Sequence, residues 1–140
     1  MRKSIKVISI IALSVAVVLT LAWPYIEMEF SGSAHYTEQD TREYGFYTPS
    51  ILKDMPRISP RYDFDFANIT GPASQVHAIR FYDTTDSEKV DTYLIAAGYS
   101  KQENCHIEAV CWQGQDQHEI VTVSTLENPK ALLVSVINNF

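Results

Sequence analysis

The sequence lacks the short motifs that mark the common catalytic and cofactor-binding sites. It has no serine nucleophile elbow, no paired CxxC motif and no HExxH. With only five glycines in 140 residues, a glycine-rich phosphate cradle is hard to build. The four histidines, His35, His77, His106 and His118, are scattered, so only the fold could assemble a zinc site. We therefore predict no enzymatic activity, no catalytic residue, no metal and no cofactor.

Basic residues are scarce after the first six positions. Beyond Arg2, Lys3 and Lys6, the chain carries 8 basic and 17 acidic side chains, a formal net charge of −9. Binding to nucleic acid or to anionic lipid headgroups requires Lys and Arg to displace counterions. The charge therefore excludes nucleic acid as a partner and leaves a basic protein, a cation or solvent alone.

Charge is absent from Val7 to Trp23, a run of seventeen residues. At 1.5 Å per residue, a helix over residues 7–26 would be about 30 Å long, the thickness of the hydrocarbon core of a bilayer. Three cations precede the run and two glutamates follow it, so the N-terminus is expected to stay in the cytoplasm. We predict a cytoplasmic segment over residues 1–6 and a single-pass inner or plasma membrane protein with a periplasmic or extracellular C-terminal domain.

A cleaved secretory signal peptide is the alternative for this leader, since its first dozen residues would look the same. A small-x-small cleavage site should then follow the apolar run closely. The sequence instead continues through Trp23 and Pro24, and the nearest candidate, residues 32–34, lies beyond two glutamates. The pattern therefore favours an uncleaved signal-anchor helix.

The rest of the chain predicts a juxtamembrane linker over residues 27–47 and an exported globular domain over residues 48–140. Tyr62, Phe64 and Phe66 alternate with two aspartates, which is typical of a half-buried strand. Capping signals and an apolar face predict a helix over about residues 86–97, ended by Gly98. Strands are expected at residues 76–82, 106–112, 119–126 and 131–140, with the last one central. The predicted fold class is α+β, an antiparallel β-meander in a two-layer domain with one main helix packed on it.

Cys105 and Cys111 are the only cysteines, and an even number on the exported side favours a disulfide. A continuous strand between them would hold their Cα atoms about 20 Å apart, too far for a bridge. Either Cys105 lies in a loop that folds back, or both residues are buried free thiols on one strand face. The compartment favours the bridge.

Asp63 and Asp65 lie on one side of a predicted strand, about 7 Å apart. Carboxylates at this separation can flank a divalent cation or a glycosidic bond. Alternating aspartates are also common on the solvated face of a strand, and the sequence near them offers no histidine or third carboxylate. We treat the pair as a candidate surface site.

Three hypotheses of function follow. The leading one is a protein-interaction module of the cell envelope, of the inhibitor or immunity type, that binds a basic partner. It is based on the acidic charge and on the aromatic-rich stretch from Tyr44 to Phe66. One alternative is a small metal-dependent or carboxylate-using hydrolase in which the fold brings a histidine to Asp63 and Asp65. The other is an accessory structural subunit of a membrane complex.

Overall fold

A computed structural model describes residues 1–69, 71, 73–105 and 109–139 of the chain. It divides into two compact units, Met1–Ser31 and Gly32–Phe140. The folded domain therefore starts well before residue 48, the boundary that the sequence predicts.

The first unit is a single helix, α1, over Arg2–Glu29. It contains the predicted span of residues 7–26 and is long and apolar enough to cross a membrane. Its large apolar side chains from Ile5 to Leu21 are more than half exposed, as lipid-facing residues of a single span would be. The hydroxyls of Ser14 and Thr20 donate to the carbonyls of Ile10 and Ala16, at 2.9 and 2.8 Å. These two hydroxyls within the apolar segment are therefore satisfied by the helix itself.

The second unit is built on an antiparallel sheet of seven strands in the order β1-β2-β3-β7-β6-β5-β4. The strands are β1 (Ser33–Tyr36), β2 (Tyr62–Ile69), β3 (Ser74–Tyr82), β4 (Ser100–Lys101), β5 (Val110–Gln113), β6 (Glu119–Glu127) and β7 (Lys130–Asn139). The last strand is central, as its apolar sequence predicts. Strands β5, β6 and β7 form the predicted meander, and the α+β fold class is confirmed.

Three helices cover one face of this sheet: α2 (Thr41–Tyr47), α3 (Ser50–Lys53) and α4 (Glu88–Ala96). The rings of Tyr44 and Tyr47 in α2 pack on Phe64 and Phe66 of β2, with centroids 5.2 and 4.6 Å apart. The Tyr93 hydroxyl of α4 donates to the carbonyl of Ile51 in α3 at 2.8 Å. The three helices therefore form one layer, which buries the side chains with the lowest exposure: Leu52, Phe64, Ile79, Phe81, Val90, Leu94, Val121, Leu132, Val134 and Val136.

Helix α4 begins at Glu88 and is followed by Gly98 with a φ of 93°. A left-handed residue after a helix is the role the sequence predicts for this glycine. The helix is somewhat shorter than the predicted residues 86–97, and Ser87 precedes its first turn. The short helix α3 begins at Ser50, directly after Pro49.

The segment predicted as a linker is largely part of the folded unit. It provides strand β1 and helix α2, in which Tyr36 and Tyr47 are 3% and 4% exposed. The Tyr62 hydroxyl donates to Glu38, and the hydroxyls of Tyr36 and Thr48 lie 2.7 Å apart. The linker was predicted from a composition rich in turn-forming residues. The free energy gained by burying the aromatic side chains of residues 32–47 is larger than the local preference for turns, so the segment folds onto the domain.

Cys105 and Cys111 form a disulfide, with Cα atoms 5.7 Å apart. Strand β5 begins at Val110, so Cys105 lies outside the strand and the chain folds back to the bridge. The predicted strand over residues 106–112 is confirmed only from Val110 onwards, and residues 106–108 lie outside the described part of the chain. The backbone amide of Gln102, directly after β4, donates to the carbonyl of Cys111 at 2.8 Å. This hydrogen bond attaches the segment before Cys105 to strand β5.

Candidate functional site

The candidate site is a polar cluster on the face of the sheet opposite the helices, formed by His35, Asp63, Asp65, Arg80 and Tyr82. Strand pairing builds it, because His35 in β1 lies opposite Asp65 in β2, and Asp63 lies opposite Arg80 in β3. Side chains of directly opposed residues lie on the same face. Since Phe64 is buried under the helices, its two neighbours must point to the other side.

Short contacts join the histidine to both carboxylates. His35 Nδ1 is 2.7 Å from Asp65 Oδ1, and His35 Nε2 is 3.6 Å from Asp63 Oδ2. The Tyr82 hydroxyl donates to Asp63 Oδ2 at 2.6 Å. The Arg80 guanidinium lies 3.8 Å from Asp63 and 3.4 Å from Asp65. One cation and one ionisable imidazole therefore face two carboxylates.

Burial differs across the cluster. The side chain of Asp63 is only 13% exposed, and its Oδ1 atom is buried without a hydrogen-bond donor among the described residues. Asp65 is 35% exposed and His35 is 59% exposed. The cluster is thus closed around Asp63 and open to solvent at His35 and Asp65.

The electrostatics favour a protonated histidine. The hydrogen bond to Asp65 raises the pKa of His35 above its usual value, and the charge of Asp63 adds to this effect, while burial and Arg80 oppose it. The hydrogen bond to Tyr82 and the two carboxylates raise the pKa of Arg80, which stays charged. When His35 is protonated, two positive charges balance two negative ones.

The cluster contains ligand types that metals use. One nitrogen of His35 and one oxygen from each aspartate lie within 4.8 Å of one another. An imidazole and two carboxylates suit a divalent transition metal. Arg80, however, already provides a positive charge beside both carboxylates, and a metal must also displace the proton that Asp65 stabilises on His35.

The structure keeps Asp63 and Asp65 on one face, as the sequence predicts, and adds His35, Arg80 and Tyr82. The sequence analysis missed these three because they are distant along the chain, and His35 was assigned to the linker. Of the other histidines, His77 is half buried on the helix-covered face, where burial lowers its pKa. His118 is exposed in a turn, and His106 lies outside the described residues.

Comparisons with protein-family models, curated proteins and solved structures find no match to this chain.

Proposed function

We propose that this chain is a membrane-anchored interaction domain of the cell envelope that binds a basic protein, as an inhibitor or immunity-type module does. The observation that carries the proposal is a sheet face, here called the bare face, that none of the helices α2, α3 and α4 covers, in a strongly acidic domain. Three helices cover one side of the sheet, and on the other side aliphatic side chains remain partly exposed beside the polar cluster. Exposed apolar surface bordered by charge is typical of protein-binding sites.

The anchor supports the location of this domain. Helix α1 can span a membrane, and the disulfide indicates an oxidising compartment. With three cations before the apolar run, the N-terminus lies in the cytoplasm and the sheet domain faces the periplasm or the exterior.

The charge supports the nature of the partner. From Gly32 onwards the chain has 15 acidic and 8 basic residues, a formal net charge of −7. Several of the basic groups already face carboxylates: Arg57 lies 3.6 Å from Glu38, Arg61 lies 3.2 Å from Asp83, and Arg80 lies in the cluster. The electrostatic potential around the domain is therefore negative. A negative potential attracts a basic protein and increases its rate of association.

Site-specific photo-crosslinking in the native host tests the proposal. A photoreactive amino acid is placed at Ser124, half exposed on the bare face, and at Thr92, exposed on α4, and crosslinked proteins are identified by mass spectrometry. The identified partner is then purified and its affinity for the full chain in lipid nanodiscs is measured at increasing salt.

We expect a partner with a positive net charge, bound more weakly as salt rises from about 0.1 to about 1 M, because the Debye length falls from about 10 to about 3 Å. No crosslinked partner from either position, or an acidic partner whose affinity does not depend on salt, would refute the proposal.

A metal-dependent hydrolase is the second candidate, and the closeness of His35, Asp63 and Asp65 is the observation that favours it. The polar groups are already in place for a divalent ion or for acid–base chemistry. Titration of the full chain with Zn²⁺ or Mn²⁺ by calorimetry tests it, with the Asp63→Asn/Asp65→Asn double variant as the comparison. Micromolar binding that the double variant loses would support this candidate, and equal binding by both proteins would exclude it.

A further inference from the structure

We propose that the bare sheet face carries a groove for an extended, basic segment of the protein partner. The inference rests on the proposed function and deepens it, because it names the part of the surface that binds and the kind of segment that it accepts. The groove runs across the strands from the polar cluster on β1 and β2 to Cys111 on β5.

Strand register defines the floor of the groove. Asp65 lies opposite Ala78, Ala78 opposite Ser135, Ser135 opposite Thr122, and Thr122 opposite Cys111. Opposed residues share a face, so these side chains form one row across the five strands β2, β3, β7, β6 and β5. The row ends at the disulfide-bonded Cys111 and is continued at its other end by His35 on β1. Beyond Asp65 the row consists of small residues, whose exposed fractions are 4–8%.

Larger side chains form two ridges along the floor. The residues two positions away on the same strands point to the same face. One ridge is formed by Arg80 and Leu133 and becomes lower at the small Ser124, and the other contains Val76, Ile137 and Ile120, each aligned by pairing of neighbouring strands. All six are partly exposed, whereas the small residues between them are shielded. The sheet face is therefore a trough and not a flat surface.

Two residues on the floor carry hydroxyl groups. Thr122 is 4% exposed and Ser135 is 8% exposed, and neither hydroxyl is among the buried polar atoms that lack a hydrogen-bond partner in the described part of the chain. Both alternate with fully or almost fully buried valines of the core, so they point into the groove. Both hydroxyls can donate to or accept from the main chain of a segment bound in the groove.

The dimensions fit an extended chain. Five interstrand spacings of about 4.8 Å separate β1 from β5, so the groove is about 24 Å long, the length of about seven extended residues. The two ridges are about 13 Å apart, since each lies two strand residues from the floor. An extended segment can therefore lie on the floor with its side chains against Leu133 on one ridge and Ile137 on the other.

Charge selects the sequence of that segment. At its β1 end the groove contains Asp63 and Asp65 against Arg80 and His35, whose charges balance when His35 is protonated and leave a net negative charge when His35 is neutral. Asp65 is accessible there, with 35% of its side chain exposed. The bound segment is expected to place a lysine or arginine at this end and aliphatic residues along the ridges, in a domain whose overall charge is also negative.

Peptide selection with a defined library tests the groove. Phage displaying random twelve-residue peptides are selected on the full chain in nanodiscs, and the enriched peptides are synthesised and titrated by fluorescence anisotropy. Ser135→Trp fills the floor, and Ile137→Glu places a charge on a ridge without changing the core. Thr92→Trp, on the exposed side of α4, is the matched control. Circular dichroism confirms that each variant is folded.

We expect peptides with a basic residue and two or more aliphatic residues, bound at least tenfold more weakly by Ile137→Glu and Ser135→Trp and equally well by Thr92→Trp. Peptides that bind all variants equally, or a selection that gives no binder, would overturn the groove. Crosslinks to a partner from Thr92 but not from Ser124 would overturn it too, while leaving the interaction domain in place. Crosslinks from Ser124 to a second copy of this chain would identify the face as a dimer interface instead.

Discussion

Replacing Tyr36 by alanine is the most direct test of where the folded domain begins. Tyr36 is 3% exposed, its ring stacks on Phe64 with centroids 5.5 Å apart, and it lies 5.8 Å from the ring of Tyr47. Its hydroxyl is 2.7 Å from that of Thr48. If residues 27–47 were a linker, this substitution would leave the stability of the domain unchanged.

The structure predicts a large loss. Truncating a fully buried aromatic side chain to alanine costs about 3–5 kcal/mol, because the lost contacts leave a cavity that neighbours fill only in part. A domain of this size has a free energy of unfolding of about 5–15 kcal/mol, so the loss is a substantial fraction of it. Tyr36→Phe keeps the ring and leaves the Thr48 hydroxyl, in a residue 6% exposed, unpaired, which costs about 1–3 kcal/mol.

Urea unfolding of the full chain in detergent micelles measures both values, with Trp112 fluorescence as the signal in a Trp23→Phe background. Trp112 is 2% exposed and reports on the core of the sheet domain. Phe46→Ala is the matched control, since this side chain is 40% exposed and its loss should cost less than about 1 kcal/mol. A Tyr36→Ala variant no less stable than the Phe46→Ala control would show that β1 is not part of the cooperative fold.

Three further predictions concern charge, crosslinking and topology. Because the pKa of His35 is raised in the fold, its stabilising effect is complete below about pH 6.5 and is lost as the pH rises above the folded pKa. The difference in unfolding free energy between wild type and His35→Gln should be below about 1 kcal/mol, because the side chain is so exposed. This difference should become smaller as the pH rises from about 5.5 to about 8.5. A difference that stays constant over this range would contradict the prediction. Reducing the disulfide, whose cysteines are 6 residues apart, should cost about 2 kcal/mol, and thiol titration of the unfolded, unreduced protein should find no free thiol. Intact mass should show an uncleaved leader, and protease added to spheroplasts should degrade residues 32–140; a mature N-terminus near His35 or a protected C-terminal part would contradict the anchored topology.

The local elements were the most predictable part of the fold. Alternation of aromatic residues and aspartates predicts β2 and its orientation, and Gly98 predicts the end of α4, because both signals act over a few neighbouring residues. Strand β7 has apolar residues on both faces, and from this pattern its central position in the sheet was predicted correctly. These predictions succeed where a residue type restricts the backbone or one face of an element by itself.

The site was harder to predict because it depends on pairing between distant strands. His35 and Asp65 are 30 residues apart in sequence, and nothing near either residue specifies their contact. The segment that contains His35 is rich in Ser, Gly and Thr, which favours a linker over a strand when only local composition is considered. Its one decisive side chain is Tyr36, whose burial depends on rings that come from β2 and α2.

The same tyrosine explains why the cluster can serve binding without being needed for folding. A shift of β1 by one residue would bring Tyr36 to the solvated face and His35 into the aromatic core, so the register is fixed by the burial of Tyr36. Contacts of His35, which is 59% exposed, add little to that preference. Residues held in place by a core to which they contribute little can be replaced without loss of the fold. Substitutions at His35 and Asp65 should therefore change what the bare face binds, whereas substitutions at Tyr36 should change whether the face exists.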